Sequence, residues 1–161
     1  MRYQKGIGLV EVMVAVVLLS ISILGFGALQ IRAIDSSAEA GNQVTALSLA
    51  RDLAERMRAN PEAIRAGYYM AKTGISNEEE GTPTNSQSYA IARQDLKMIA
   101  DQADQYFMKV IVDVCPLQGS TRQCIYVAWD KTAQNSFDNA QKCYVSGRYV
   151  FGSKCLFLEA Y

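Results

Sequence analysis

Lys5-Gly6-Ile7-Gly8-Leu9-Val10-Glu11-Val12 is the most informative stretch of this 161-residue chain. It opens an apolar run over residues 7–29 in which Glu11 is the only charged side chain. A helix rises about 1.5 Å per residue, so this run reaches roughly 35 Å and is long enough to cross a hydrocarbon layer about 30 Å thick. The stretch therefore predicts a transmembrane helix at the N-terminus.

Glu11 is expected to have a partner, because a carboxylate inside a membrane segment costs a few kcal/mol. Cleavage after Gly6 would make Ile7 the first residue and place its α-amine at the i,i+4 spacing from Glu11. The two charges would then neutralise each other, or Glu11 would pair with the amine of a neighbouring copy and so direct assembly. Alternatively, Glu11 lies near the membrane surface and extends towards the headgroups.

The segment from Lys5 to Val12 resembles the prepilin leader of type IV pilins and pseudopilins. It has a short basic peptide, a glycine before the cut, an apolar stretch and a glutamate at the fifth mature position. The family usually has phenylalanine as its first mature residue, where this chain has Ile7. The resemblance implies cleavage between Gly6 and Ile7 by a prepilin peptidase, N-methylation of Ile7 and a contact of Glu11 in pilus assembly.

The N-terminus has two alternative interpretations besides a prepilin leader. A secretory signal peptide has an apolar region of only about 7–15 residues, which is shorter than this run. A plain membrane anchor that is never cleaved is the stronger alternative. Arg2 and Lys5 precede the apolar run both in a prepilin and in an uncleaved anchor, so the positive-inside rule places the N-terminus in the cytoplasm in both cases. The predicted location is the bacterial inner membrane with the globular part in the periplasm, and the pilus after assembly.

The helix is predicted to continue beyond the membrane segment. Apolar residues recur at spacings close to three and four, which indicates an amphipathic helix, at Ile31, Ile34, Ala38, Leu47, Ala50, Leu53, Ala54 and Met57. Asn60-Pro61 is expected to end it. The predicted divisions are a leader peptide (1–6), a transmembrane and assembly helix (7–29), an amphipathic stalk helix (30–60) and a globular domain (61–161). Gly25, Gly27 and Gly41 indicate either local bending or close packing.

The end of the stalk helix resembles one subfamily of type IV pilins in particular. Leu53-Ala54-Glu55-Arg56-Met57-Arg58-Ala59-Asn60-Pro61, followed by Gly67-Tyr68-Tyr69, is similar to the minor pilins called PilV. The similarity covers residues 1–69 in detail and implies a minor type IV pilin that supports pilus assembly or initiation, twitching motility or adhesion. Its implied partners are other pilins and minor pilins, the inner membrane, the prepilin peptidase and the pilus assembly machinery.

Several alternatives stay open at this point. A pseudopilin of type II secretion shares the leader and the long helix, and an unprocessed membrane-anchored binding module belongs to a different class. We term residues 50–61 the stalk motif. Its charges, which include an Asp52–Arg56 pair at i,i+4, indicate either a solvated helix face or a docking surface.

The rest of the chain predicts an α+β fold. Residues 73–88 are polar and predict a loop, and residues 89–106 predict a helix with an apolar face of Ile91, Leu96, Ile99 and Ala103. Segments rich in β-branched and aromatic residues at 108–114, 124–129, 144–145, 149–151 and 156–158 predict an antiparallel sheet. The long helix would lie against this sheet, as the pilin resemblance also implies, and Trp129 is expected in or beside the core.

The four cysteines predict two disulfides in an oxidising compartment. Three connectivities are possible. Cys115–Cys124 and Cys143–Cys155 are favoured because each closes a short loop between strand-like segments, with Cα atoms roughly 5–6 Å apart. A zinc site is disfavoured, since the sequence has no C-x-x-C spacing and no histidine.

The composition argues against other classes of function. The formal net charge is zero and no basic stripe stands out, so nucleic-acid binding has no electrostatic support. Nucleophiles activated by histidine are absent from a chain without histidine, and there is no phosphate-binding or dinucleotide-binding glycine motif. Glu78-Glu79-Glu80 would suit a calcium ion only with a turn scaffold, because three consecutive carboxylates do not otherwise converge on one ion, so this site is disfavoured. The sequence therefore predicts a structural protein with no catalytic residues, metal or cofactor.

Overall fold

A helix of 51 residues, α1 (Leu9–Ala59), opens the fold. The computed structural model describes residues 6, 8–71, 86–115, 121–134, 143–145 and 148–160. Within them, α1 is followed by the helices α2 (Pro61–Arg65), α3 (Gln87–Gln105) and α4 (Asp130–Gln134). The strands are β1 (Lys109–Val114), β2 (Gln123–Ala128), β3 (Tyr144–Val145), β4 (Arg148–Tyr149) and β5 (Cys155–Glu159).

The chain forms two compact units, residues 1–41 and 42–161, and α1 has residues in both. The first unit contains a stretch of α1 that is long and apolar enough to cross a membrane. In the second unit α1 ends at Ala59, directly before Asn60-Pro61, as the residue preference before proline predicts. The last part of the predicted stalk is therefore built into the globular unit.

The main sheet is antiparallel and has the strand order β1-β2-β5. Its register pairs Lys109 with Ala128 and Ala128 with Cys155. The start of β1, the end of β2 and the start of β5 therefore lie at the same end of the sheet. A separate two-stranded ribbon is formed by β3 and β4. The α+β prediction is confirmed: the globular part of α1 packs on a small antiparallel sheet.

One face of the sheet forms the larger core with α1 and α3. Strand residues alternate between the two faces, so that alternate residues of β1 and β2 point into this core. The core contains Leu49, Leu53 and Met57 of α1, Leu96 and Ile99 of α3, Val110, Val112, Ile125 and Val127 of the sheet, and Trp129. The predicted burial of Trp129 is thus confirmed, since its exposed fraction is 3%.

The opposite face of the sheet packs on α4 and the β3–β4 ribbon. Ile111 and Tyr126 point to this side, with both disulfides and Ala133 of α4. The ring of Phe157 lies 5.8 Å from that of Tyr126, 4.7 Å from that of Tyr144 and 5.6 Å from that of Tyr149, measured between centroids. Aromatic pairs at these distances add stabilisation beyond the burial of area.

Several expectations about individual residues are wrong. Ile31 and Ile34 are 64% and 67% exposed, so the buried face of α1 begins only at Ala46. Ile91 is 41% exposed, and the buried face of α3 instead starts at Ala92. The last two residues of the predicted loop, 87 and 88, belong to α3, and most of that loop, including the three glutamates at 78–80, lies outside the described residues.

Candidate functional site

The N-terminal segment presents Glu11 in the first turn of α1. The carbonyl oxygen of Gly8 accepts hydrogen bonds from the N–H groups of Glu11 at 3.0 Å and Val12 at 3.3 Å, so helical bonding starts at Gly8. A carboxylate in a first turn is favoured by the positive end of the helix dipole. Glu11 and Gly6 are both exposed. Ile7, the predicted site of methylation, lies outside the described residues.

The part of α1 that follows Glu11 is mostly apolar and carries no charged side chain as far as residue 29. Each large apolar side chain between residues 9 and 29 is at least half exposed. The hydroxyl groups of Ser20 and Ser22 donate to the carbonyl oxygens of Val16 and Leu18, each at 2.8 Å. These bonds satisfy the hydroxyls inside the helix. Glu11 is consequently the side chain in residues 9–29 whose charge has no counter-charge within the same stretch of the helix.

The stalk motif forms a second polar centre around Arg56, inside the globular unit. Its guanidinium donates to both carboxylate oxygens of Asp52, at 3.0 and 3.4 Å, and to Asp95 of α3 at 3.2 Å. The predicted Asp52–Arg56 pair is therefore present, and Arg56 also joins α1 to α3. The hydrogen bond to Asp52 is the main cause that raises the pKa of Arg56, against the opposing effect of desolvation.

Tyr69 completes this centre from the segment after α2. Its side chain is fully buried, and its hydroxyl donates to the second oxygen of Asp95 at 2.7 Å. Burial and this bond raise the pKa of Tyr69 well above its usual range. Asp95, only 7% exposed, is thus held by a cation and a phenol, which compensates a carboxylate removed from water. We term Asp52, Arg56, Tyr69 and Asp95 the Arg56 network.

Asn60-Pro61 also contributes contacts within the domain. The Asn60 side-chain amide donates to the carbonyl oxygen of Ser88 at 2.9 Å, and the Ser88 hydroxyl donates to Glu62 at 2.8 Å. Both bonds fasten the first turn of α3 to the junction of α1 and α2. The stalk motif therefore has two kinds of residue. Arg56 and Asn60 bind α3, whereas the ion pair of Glu55 and Arg58 is exposed.

The sequence singled out Asp52–Arg56 but did not identify Asp95 or Tyr69 as its partners. Asp95 lies 39 residues from Arg56 along the chain, beyond the reach of any local spacing rule. A signal was present, because Asp95 stands beside Leu96 on the predicted apolar face of a helix. A carboxylate at the margin of such a face indicates a buried ion pair more often than an isolated charge.

The four cysteines form two disulfides in the structure. Cys115–Cys124 has a Cα–Cα distance of 4.9 Å and closes the β1–β2 hairpin. Cys143–Cys155 has a Cα–Cα distance of 6.0 Å and ties the residue before β3 to the start of β5. These are the two pairings that the loop lengths favour. Among the described residues, no group of His, Cys, Asp and Glu is arranged to hold a metal ion.

Two known families match the first 100 residues of the chain. Residues 1–27 match the prokaryotic N-terminal methylation motif. Residues 28–100 match the Tt1218-like family, described as type IV pilin Tt1218. The second match includes the Arg56 network and ends within α3, before the sheet. No curated protein and no solved structure gives a significant match.

The methylation motif, the apolar helix and the helix-on-sheet fold together define a type IV pilin-like protein. The N-terminal methylation motif supports a processed pilin and implies cleavage by a prepilin peptidase and partnership with other pilins. Over residues 28–100 the chain is similar to the Tt1218-like type IV pilins.

Proposed function

We propose that this pilin is a minor subunit of a type IV pilus, of the PilV type, that supports pilus assembly or initiation. The observation that carries the proposal is the N-terminal methylation motif followed directly by a pilin family match. The similarity of the stalk motif to PilV supports the assignment as a minor pilin. A structural role without catalysis fits a pilin, and twitching motility or adhesion would follow from the fibre to which the subunit contributes.

Cleavage between Gly6 and Ile7, with N-methylation of Ile7, is the first step of the proposed mechanism. It converts a basic leader into an α-amine one helical turn before Glu11. The exposed carboxylate of Glu11 then pairs with the N-terminal amine of a neighbouring subunit, because the surrounding surface is apolar and supplies no counter-charge. In the membrane the pairing compensates the cost of the buried charge, and this attraction orders the subunits in the growing fibre.

The chemistry at both ends of the chain supports a periplasmic location of the globular unit. Arg2 and Lys5 favour a cytoplasmic leader, which leaves the globular unit in the periplasm. Two disulfides in that unit agree with an oxidising compartment.

Glu11→Ala tests the assembly contact, with Asp35→Ala as the matched control. Both variants remove one exposed carboxylate from α1, but only Glu11 lies in the apolar run. The Glu11 variant should insert into the membrane and be cleaved normally, while its amount in sheared pili falls by roughly tenfold, the effect of about 1.4 kcal/mol. The Asp35 variant should be incorporated like the wild type.

Three outcomes would contradict the proposal. Incorporation of Glu11→Ala at the wild-type level would remove the assembly role. A native protein whose mass includes residues 1–6 and lacks a methyl group would indicate the unprocessed membrane anchor. Loss of protein secretion rather than of piliation on deletion of the gene would assign the chain to a type II secretion pseudopilus, the second candidate, which the shared leader also fits.

A further inference from the structure

β5 is an edge strand of the main sheet, and its backbone bonds to β2 have a fixed register. Just before β5, the carbonyl oxygen of Lys154 accepts a bond of 3.0 Å from the N–H of Trp129. Just after β5, the N–H of Ala160 donates to the carbonyl oxygen of Gln123 at 2.9 Å. Because bonding alternates along an antiparallel pair, the even-numbered residues from 154 to 160 are the ones that bond to β2.

The backbone groups of the odd-numbered residues of β5 therefore point away from the sheet. These are the N–H and C=O groups of Cys155, Phe157 and Glu159, and no residue that the structure describes forms a hydrogen bond with them. The opposite edge is different, because Val112 in the middle of β1 exchanges two bonds with Ala71, at 3.0 and 3.2 Å. Within the described part of the chain, the main sheet is thus open along β5 and covered at the centre of β1.

The open edge of β5 lacks the features with which proteins usually protect an edge strand. Such features are proline, several charges or a bulge. β5 has neither a proline nor a bulge, and its one charged residue, Glu159, already pairs with Arg122. Leu156 and Leu158 pack on the larger core but are only half-buried, so the core itself reaches this edge. An edge of this kind suits the addition of a further strand.

A second copy of this chain is poorly suited to supply that strand. Two β5 strands that pair with both cores on one face of the sheet must be antiparallel, and this reverses α1 of one copy relative to the other. Subunits that enter one fibre from one membrane have α1 in the same direction. Of the other described strands, β1 is bonded to Ala71, β2 lies between two strands, and β3 and β4 have only two residues each.

We propose that the edge of β5 receives an extended strand from a different pilin subunit, which adds a fourth strand to the three-stranded sheet. This inference rests on the proposed function, because it requires that the chain meets other pilins in a fibre. The added strand bonds to the outward N–H and C=O groups of Cys155, Phe157 and Glu159. Its apolar side chains lie at alternate positions, where they cover Leu156 and Leu158.

Glu159→Pro tests this contact, with Glu159→Ala as the matched control. Both variants lose the exposed ion pair with Arg122, which contributes little to stability. Only proline also removes an outward N–H, a change that edge strands tolerate because the bond lies outside the fold. The Tm values of the two full-length variants in detergent should therefore agree within about 4 °C. The ratio of pilus-borne to membrane-bound protein should fall roughly tenfold for proline, equal to about 1.4 kcal/mol, and stay at the wild-type level for alanine.

A photocrosslinker in place of Glu159 identifies the donor and does not depend on the folding of the proline variant. With p-benzoylphenylalanine at this position, sheared pili should contain a crosslink to a different pilin. The linked peptide should have apolar residues at alternate positions, and the same peptide should gain protection from amide exchange.

Several results would refute the contact and leave the pilin assignment intact. These are a link to a second copy of this chain, to lipid or to a helical segment, the absence of any link, and equal incorporation of the proline and alanine variants. A Tm that falls with proline and not with alanine would show that the N–H of Glu159 serves the fold, and would refute the contact as well. Absence of the wild-type protein from pili would instead refute the proposed function.

Discussion

Tyr69→Phe removes one hydroxyl from the interior and tests whether the Arg56 network stabilises the fold. The hydroxyl donates a 2.7 Å hydrogen bond to Asp95, a carboxylate only 7% exposed. A hydrogen bond to a charged group contributes about 1.5–3 kcal/mol, and its loss also leaves one oxygen of Asp95 without that donor. We therefore expect the free energy of unfolding to fall by about 2 kcal/mol.

Urea denaturation of the full chain in detergent measures this loss. The single tryptophan, Trp129, is buried in the same core and reports unfolding by fluorescence. With a slope of about 2 kcal/mol per molar urea, the midpoint should fall by about 1 M. Tyr68→Phe is the matched control, because Tyr68 is only half-buried and packs edge-on against Tyr89.

A double-mutant cycle that combines Tyr69→Phe with Asp95→Asn measures the interaction energy between these two side chains. The two substitutions should be less than additive by at least about 1 kcal/mol, as expected for groups in direct contact. If Tyr69→Phe cost no more than Tyr68→Phe, or if the two substitutions were additive, the argument that this bond stabilises the domain would be refuted.

Two further predictions concern the outer face of the sheet. Replacing Cys143 and Cys155 by alanine should lower the free energy of unfolding by roughly 2–3 kcal/mol. Amide exchange should accelerate in β3 and β5, while α1 keeps its protection. Equal acceleration in α1, or a non-reduced digest in which Cys115 is linked to Cys155, would contradict this prediction. Burial raises the pKa of Tyr126 to about 12, so its contribution to stability is complete below the unfolded pKa of about 10 and is lost as pH rises through 12. Tyr126→Phe should remove this part of the alkaline unfolding, monitored by tyrosinate absorbance and Trp129 fluorescence.

The elements that could be predicted are those with a strong local pattern. The apolar run and Asn60-Pro61 gave the start and end of α1, because length in a bilayer and the restriction before proline act within a few residues. The alternation of Val110, Ile111 and Val112 predicted a strand, and these residues do divide between the two faces of the sheet. The chain reversal near each cysteine pair favoured short-loop disulfides for the same local reason.

The features that were missed depend on contacts between distant segments. Ile31 and Ile34 fit the helical period of the stalk, but burial requires a facing element, and the globular unit begins only at residue 42. The β3–β4 ribbon separates from the main sheet because each strand has only two residues and packs its rings on Phe157. Phe107, which follows α3, has φ at +54°. Nothing in the local sequence predicts this left-handed conformation, since a phenylalanine there is atypical.

Some residues of the stalk motif bind the globular domain and others are exposed, and this difference affects what the motif indicates about function. Arg56 and Asn60 make their bonds to α3, so their spacing reports how the helix is fastened to its domain. A subunit with the same fold but from a different fibre would need Arg56 and Asn60 for the same purpose. The surfaces that select a neighbour must therefore lie among exposed residues outside this network. If so, exchanging the Arg56 network for that of another pilin should alter the free energy of unfolding and leave the choice of neighbour in the fibre unchanged.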